Sequence, residues 1–105
     1  MPEELGLSYA VAMVLQSIAF GHVYGYRVME VTGLPSGTVY PALGRLERDE
    51  LILSSWEKQA RAEAAHRPPR KYYKVTRAGI AILKTARERY PHLAKLAAAV
   101  EVEQV

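Results

Sequence analysis

The stretch Leu34-Pro35-Ser36-Gly37-Thr38-Val39-Tyr40-Pro41-Ala42-Leu43-Gly44-Arg45-Leu46-Glu47-Arg48 decides how this chain is read. It follows a helix ending at Gly33 and precedes a strand-like run beginning near Leu51, which is the place of the second helix of a helix-turn-helix. Val39, Leu43, Leu46 and Glu50 fall on one line at helical spacing with Ala42 beside it, so this face can sit on a core. Thr38, Tyr40, Arg45 and Arg48 are left outward, and their hydroxyl, phenol and guanidinium groups suit phosphates and base edges alike. A solvated amphipathic helix would show the same pattern, so the flanking segments have to decide.

Upstream, Leu7, Val11, Val14, Leu15 and Ile18 recur at three- and four-residue spacing and predict a first helix from about Leu5 or Ser8 to Phe20, stopped by Gly21. A second helix from Tyr24 to Thr32 turns Tyr24, Val28 and Val31 inward, and Gly33 can take the left-handed conformation that ends it. The third helix starts between Pro35 and Thr38. Pro41 has no N–H, so a start at Ser36 loses one bond, and Thr38 as N-cap avoids that conflict.

Downstream, Ile52 to Glu57 and Arg70 to Val75 carry the β-branched and aromatic residues of strands. Lys58 to Pro69 then forms a long hairpin tip. Tyr73 and Val75 point to one side of the second strand and Arg70, Tyr72 and Lys74 to the other. Thr76 caps a fourth helix whose stripe holds Ile80, Leu83, Ala86 and Tyr90. Pro91 bends or interrupts it before Leu93, Leu96, Ala97, Val100 and Gln104 resume the stripe. Three helices, two strands and a helix make a winged helix: mostly α with a small β-hairpin wing, followed by a C-terminal dimerisation helix. Residues 1–76 are read as the DNA-binding domain and residues 77–105 as the dimerisation helix, kinked or broken near Pro91.

Composition is compatible with this reading and excludes others. A chain of 105 residues suits one domain whose core is marginal without a partner subunit, so dimerisation is expected. The formal charge of +3 is small, but Arg67, Arg70, Lys71, Lys74 and Arg77 occur with no acid between them. The absence of cysteine excludes a disulfide scaffold and a thiolate nucleophile. The apolar run Tyr9 to Phe20 is broken by Gln16 and Ser17, is too short to span a bilayer and follows no basic segment, so a soluble intracellular protein is expected. His22, His66 and His92 fall in three separate elements without metal-ligand spacing. Gly33 to Gly37 lacks the Lys and Ser or Thr of a P-loop, and no nucleophile is paired with a base, so neither an enzyme nor a cofactor or metal site is expected.

Four blocks, Tyr24-Gly25-Tyr26, Gly37-Thr38-Val39-Tyr40-Pro41-Ala42-Leu43 with Arg45-Leu46-Glu47, Arg67-Pro68-Pro69-Arg70-Lys71-Tyr72-Tyr73, and Thr76-Arg77-Ala78-Gly79, together resemble the PadR family of bacterial transcriptional regulators. The resemblance spans about Leu7 to Tyr90 and, through the short segment after Pro91, its compact branch without a large C-terminal domain. It implies a homodimeric, repressor-like DNA-binding protein of the bacterial cytoplasm, with the dimer built by the C-terminal helix. Gly44 departs from it, standing where the family often has a long basic side chain, as do His66 and the long wing tip Gln59 to His66.

The residues expected to meet double-stranded DNA are Ser36, Gly37, Thr38, Tyr40, Arg45 and Arg48 on the third helix, with Arg70, Lys71 and Lys74 on the wing. For Ser36 and Thr38 an ordinary N-cap role remains open, for Arg48 a pair with Glu47 or Asp49, and for the wing cations a solvated strand edge. Trp56, Tyr90, Leu93, Leu96, Ala97 and Val100 are expected at a dimer seam, where a small aromatic effector is a candidate ligand and Trp56 is read as packed beneath the wing or in that seam. A winged helix that binds another protein and no DNA is the alternative.

Overall fold

A computed structural model describes residues 7–93 and residue 95. Within them lie five helices and a two-stranded antiparallel sheet. Helix α1 (Tyr9–Ala19) begins where the Ser8 hydroxyl accepts from the Val11 N–H, and it is buried without a break from Ala12 to Ile18. Its two buried polar residues are satisfied: Ser17 donates to the Met13 carbonyl at 2.9 Å, and Gln16 accepts from Arg87 Nε at 2.9 Å. Helix α2 (Gly25–Thr32) turns Val28 and Val31 inward and closes on Gly33, whose φ of 76° is left-handed. Tyr24 is only half-buried, because its backbone is drawn into a bridge with Tyr72 beside the Tyr73 N–H to Val23 carbonyl bond.

Helix α3 (Ser36–Arg48) starts earlier than the Thr38 cap that the sequence favours; the N-cap is Pro35. The Pro35 carbonyl accepts from the N–H groups of both Thr38 and Val39, which opens the helix without any side-chain cap. The bond that Pro41 cannot supply would have gone to the carbonyl of exposed Gly37, where water can take its place. Val39, Ala42, Leu43 and Leu46 are buried as expected. Glu50 is not part of that face: the helix has ended at Asp49, and Glu50 is exposed with a left-handed φ of 60°.

Strands β1 (Ile52–Trp56) and β2 (Lys71–Val75) pair from Ile52↔Val75 to Trp56↔Lys71. The long tip is not simply a loop. Its alanine-rich part folds as helix α4 (Gln59–Ala64), with Ala62 as its buried residue. Helix α5 (Arg77–Arg89) begins at Thr76, whose hydroxyl accepts from the Gly79 N–H and donates to the Glu50 carbonyl. Ile80 is exposed, against the expected stripe. The inward position is taken by Gly79, pressed so closely on the Leu51 carbonyl that a Cβ there would overlap it. The helix stops before Pro91, at the C-cap Tyr90.

One hydrophobic cluster joins α1, α2, α3, both strands and α5, and Leu93 is fully buried in it. Leu93 is therefore part of this chain's own core rather than an open position on an interface stripe. Leu96, Ala97, Val100 and Gln104 lie outside the described residues. Among the described residues no helix is long and apolar enough to cross a membrane.

Candidate nucleic-acid interface

Burial of Val39, Ala42, Leu43 and Leu46 forces the rest of α3 outward. Ser36, Gly37, Tyr40, Gly44 and Arg48 are exposed, and Thr38 and Arg45 are partly so. Ser36 and Thr38 make no side-chain capping bond at the helix start, which leaves both hydroxyls for other donors or acceptors. Arg45, not Arg48, takes the i,i+4 partner: its Nε lies 3.8 Å from Asp49 in a half-exposed pair of little strength. Arg48 has no ion pair among the described residues.

The wing stands beside this helix because α3 packs on β1 and because Glu47 reaches across to it. The Glu47 carboxylate accepts from the Ser54 hydroxyl at 2.5 Å and lies 3.5 Å from the Lys71 ammonium. The Ser54 bond first, and Lys71 second, hold Glu47 below the usual carboxylate range. Strand alternation brings Ser54, Trp56, Lys71 and Tyr73 to the face turned toward α3 and leaves Lys74 and Tyr72 on the other. Tyr73 is buried there, and that burial raises its phenol above the ordinary value.

Between α3, the wing and the start of α2 runs an open groove of about 820 Å³. Tyr24 and Tyr26 line it from α2's start, Tyr40, Gly44 and Glu47 from α3, and Trp56, Arg70, Lys71 and Tyr73 from the wing. Tyr40 closes one end by lying against Gly25, where a Cβ would fall 2.5 Å from its ring. The Arg70 guanidinium sits 4.1 Å from the Tyr24 ring centre, and the Lys71 ammonium 5.9 Å from that of Trp56. Trp56 is 67% exposed, so it is not packed beneath the wing. Among the wing cations Lys71 shares its charge with Glu47, whereas Arg70 and Lys74 have no ion pair among the described residues.

Glu57 organises this wing, and the sequence reading passed over it. Its side chain is 3% exposed and accepts two bonds from Arg67, at 2.5 and 2.9 Å, one from the Arg70 N–H and a long one from the Tyr72 hydroxyl. Arg67 above all, then the Arg70 amide, pull its carboxyl down to about 2 against the opposing effect of burial. The signal was present: Glu57 is the only acid between Glu50 and Glu63, at the foot of a strand that leads into a run of cations.

Trp56 and Tyr90 fall in different surroundings. Tyr90 donates to the Leu7 carbonyl at 2.9 Å and packs edge-on against Tyr9, on the far end of α5 from the wing. Among the described residues no group of His, Asp or Glu could hold a metal ion.

The fold is shared with solved regulators. A PadR-family regulator from Clostridium difficile R20291 superposes with a TM-score of 0.69 over 89% of this chain and 98% of its own, at 23% identity. One from Eggerthella lenta DSM 2243 gives 0.63 over 86% and 79%, at 25% identity, and one from Bacillus cereus ATCC 14579 gives 0.61 over 86% and 88%, at 23%. None of the curated proteins matches the sequence. The family described as the transcriptional regulator PadR-like family matches residues 14–85, which takes in the second half of α1, all of α2 and α3, the wing and most of α5. This chain belongs to the PadR-like family of transcriptional regulators, whose members regulate transcription and are not enzymes.

Proposed function

We propose that the chain is a homodimeric repressor of the bacterial cytoplasm that occupies a pseudopalindromic operator. Helix α3 enters the major groove with Ser36, Gly37, Thr38, Tyr40, Arg45 and Arg48, and the wing cations Arg70, Lys71 and Lys74 hold the flanking phosphates. The observation that carries this reading is the pairing of an exposed polar helix face with a basic hairpin held against it through Glu47 and Lys71. Residues 1–76 serve DNA and residues 77–105 serve dimerisation, with Tyr90 and, beyond the described residues, Leu96, Ala97 and Val100 supplying contacts to the second subunit. Paired subunits place two reading helices about one helical turn of DNA apart.

Selection of bound duplexes from a random pool with purified protein tests this. The expected result is a two-fold symmetric sequence whose binding weakens steeply with salt, by a slope of about −0.9 per neutralised phosphate on logarithmic axes. Equal affinity for all duplexes at every salt concentration would defeat the reading and favour a protein-docking winged helix.

A further inference from the structure

The groove between α3 and the wing carries more ring surface than open charge. Arg67 is held by Glu57 and Lys71 by Glu47, so these two cations are largely neutralised within the chain. Arg70 differs: its guanidinium lies 4.1 Å from the Tyr24 ring centre, with no carboxylate in ion-pair reach among the described residues. A guanidinium held on an aromatic face keeps its N–H edge for an anion such as a phosphate. In the same groove stand exposed rings, Trp56 at 67%, Tyr26 at 61% and Tyr40 at 48%. Large rings left in water on one concave surface mark a place where a partner removes that water.

The mixture of rings and charge narrows the class of partner. A duplex backbone rewards cations and N–H donors, and its bases hide their faces in the stack. An unpaired strand exposes those faces, and every base can stack on an aromatic side chain whatever its sequence, while a nearby cation takes the phosphate. Gly44 leaves the α3 wall without a side chain, and a Cβ there would meet nothing within 4 Å, so a flat base has room against it. The groove's carboxylate, Glu47, is already engaged by Ser54 and Lys71 and is not set to accept from a ribose 2′-hydroxyl, which favours DNA over RNA.

We propose that this groove binds an unpaired DNA strand, with bases stacked on Trp56 and Tyr26 and a phosphate on Arg70. This is a second nucleic-acid activity beside the reading of duplex by α3. It does not rest on the operator proposed above, because the strand is held by its base faces and not by paired base edges.

Trp56 is the only tryptophan, so its fluorescence reports this groove directly. Titration of the full chain with an eight-nucleotide thymidine strand should quench that fluorescence. A strand of the same length and charge whose sugars carry no bases should bind about 10²-fold more weakly, about ten-fold for each of two stacked bases. The salt slope for the thymidine strand should be shallow, about −0.7 for each of one or two phosphates. With a labelled strand followed by anisotropy, Trp56→Ala and Tyr26→Ala should each weaken binding about ten-fold, Trp56→Phe should keep most of it, and Arg70→Gln should flatten the slope by about 0.7. Both rings are exposed, so these variants should fold as the native chain does, which far-ultraviolet circular dichroism checks. Equal affinity for the strand without bases, or undiminished binding by Trp56→Ala, would overturn the site, because cations alone would then account for the binding. A deoxyuridine strand should bind at least as well as its ribose counterpart, and tighter binding of the ribose strand would overturn the assignment to DNA. No duplex enters these measurements, so failure of operator selection leaves this site standing and failure of this site leaves the operator standing.

Discussion

Arg67 grips Glu57 through both terminal nitrogens, at 2.5 and 2.9 Å, and so closes the base of the wing tip across ten residues of chain. The same carboxylate accepts from the N–H of Arg70, the residue just before the returning strand. The cation run at the wing is therefore not all solvated charge: one arginine is spent on holding the hairpin in shape.

Acid should loosen the wing. Glu57 stays ionised in the folded chain down to about 2, against 4.5 for an ordinary glutamate, so the unfolded chain binds more protons between those values. Its stabilising contribution is present above pH 4.5 and is lost as pH falls toward 2. Protection of the Glu57 and Arg70 amides, measured as exchange relative to the intrinsic rate at each pH, should fall through that window, and in Glu57→Gln it should already be low at pH 7.

Gly44→Ala and Gly79→Ala should differ in sign. A methyl at Gly44 meets open space, so the gain in helix propensity should raise stability by about 0.5–1 kcal/mol. A methyl at Gly79 runs into the Leu51 backbone, and since backbone cannot rotate away, the cost should be about 1–3 kcal/mol or more. Thermal melts of the two variants check this.

Lys71 and Glu47 should act in opposite directions on DNA. Lys71→Ala should weaken all duplexes similarly and make the salt slope shallower by about one, as for a single phosphate contact. Glu47→Gln leaves Lys71 without its 3.5 Å partner and should tighten binding. Arg45→Ala should cost about 1–3 kcal/mol and relax preference at one position of each half-site. Fluorescence anisotropy across salt concentrations measures all three.

Tyr90→Phe should destabilise the chain by about 0.5–1.5 kcal/mol, the usual net worth of one hydrogen bond, because the hydroxyl donates to the Leu7 carbonyl. A larger effect on dimer dissociation than on monomer melting would place Tyr90 in the subunit seam as well.

Removing the residues after Lys95 should separate dimerisation from folding. Leu93 belongs to the core, so a cut at Tyr90 would damage the fold, whereas a cut after Lys95 keeps Leu93 and deletes Leu96, Ala97 and Val100. The shortened chain should sediment as a monomer with its helical signal kept and should lose operator affinity by about 10²-fold or more through lost bivalency. A shortened chain that stays dimeric moves the interface to another helix.

The sequence by itself determined the elements that depend on neighbouring residues. The apolar spacing of Val39, Leu43 and Leu46, the left-handed stop at Gly33, the Thr76 cap and the alternation of Tyr73 with Lys74 are local, since each is settled within a few residues along the chain. Only the tertiary structure decided which distant groups meet. The Glu57 clamp, the reach of Glu47 to Lys71, the seat of Gly79 on Leu51 and the bond from Tyr90 to Leu7 join residues far apart in sequence or on different elements. Their energies depend on distance and burial in space, and periodicity carries no information about either. The exposure of Trp56 has the same origin: an indole at a strand's end packs or stands in water according to what the fold sets beside it, here an open groove.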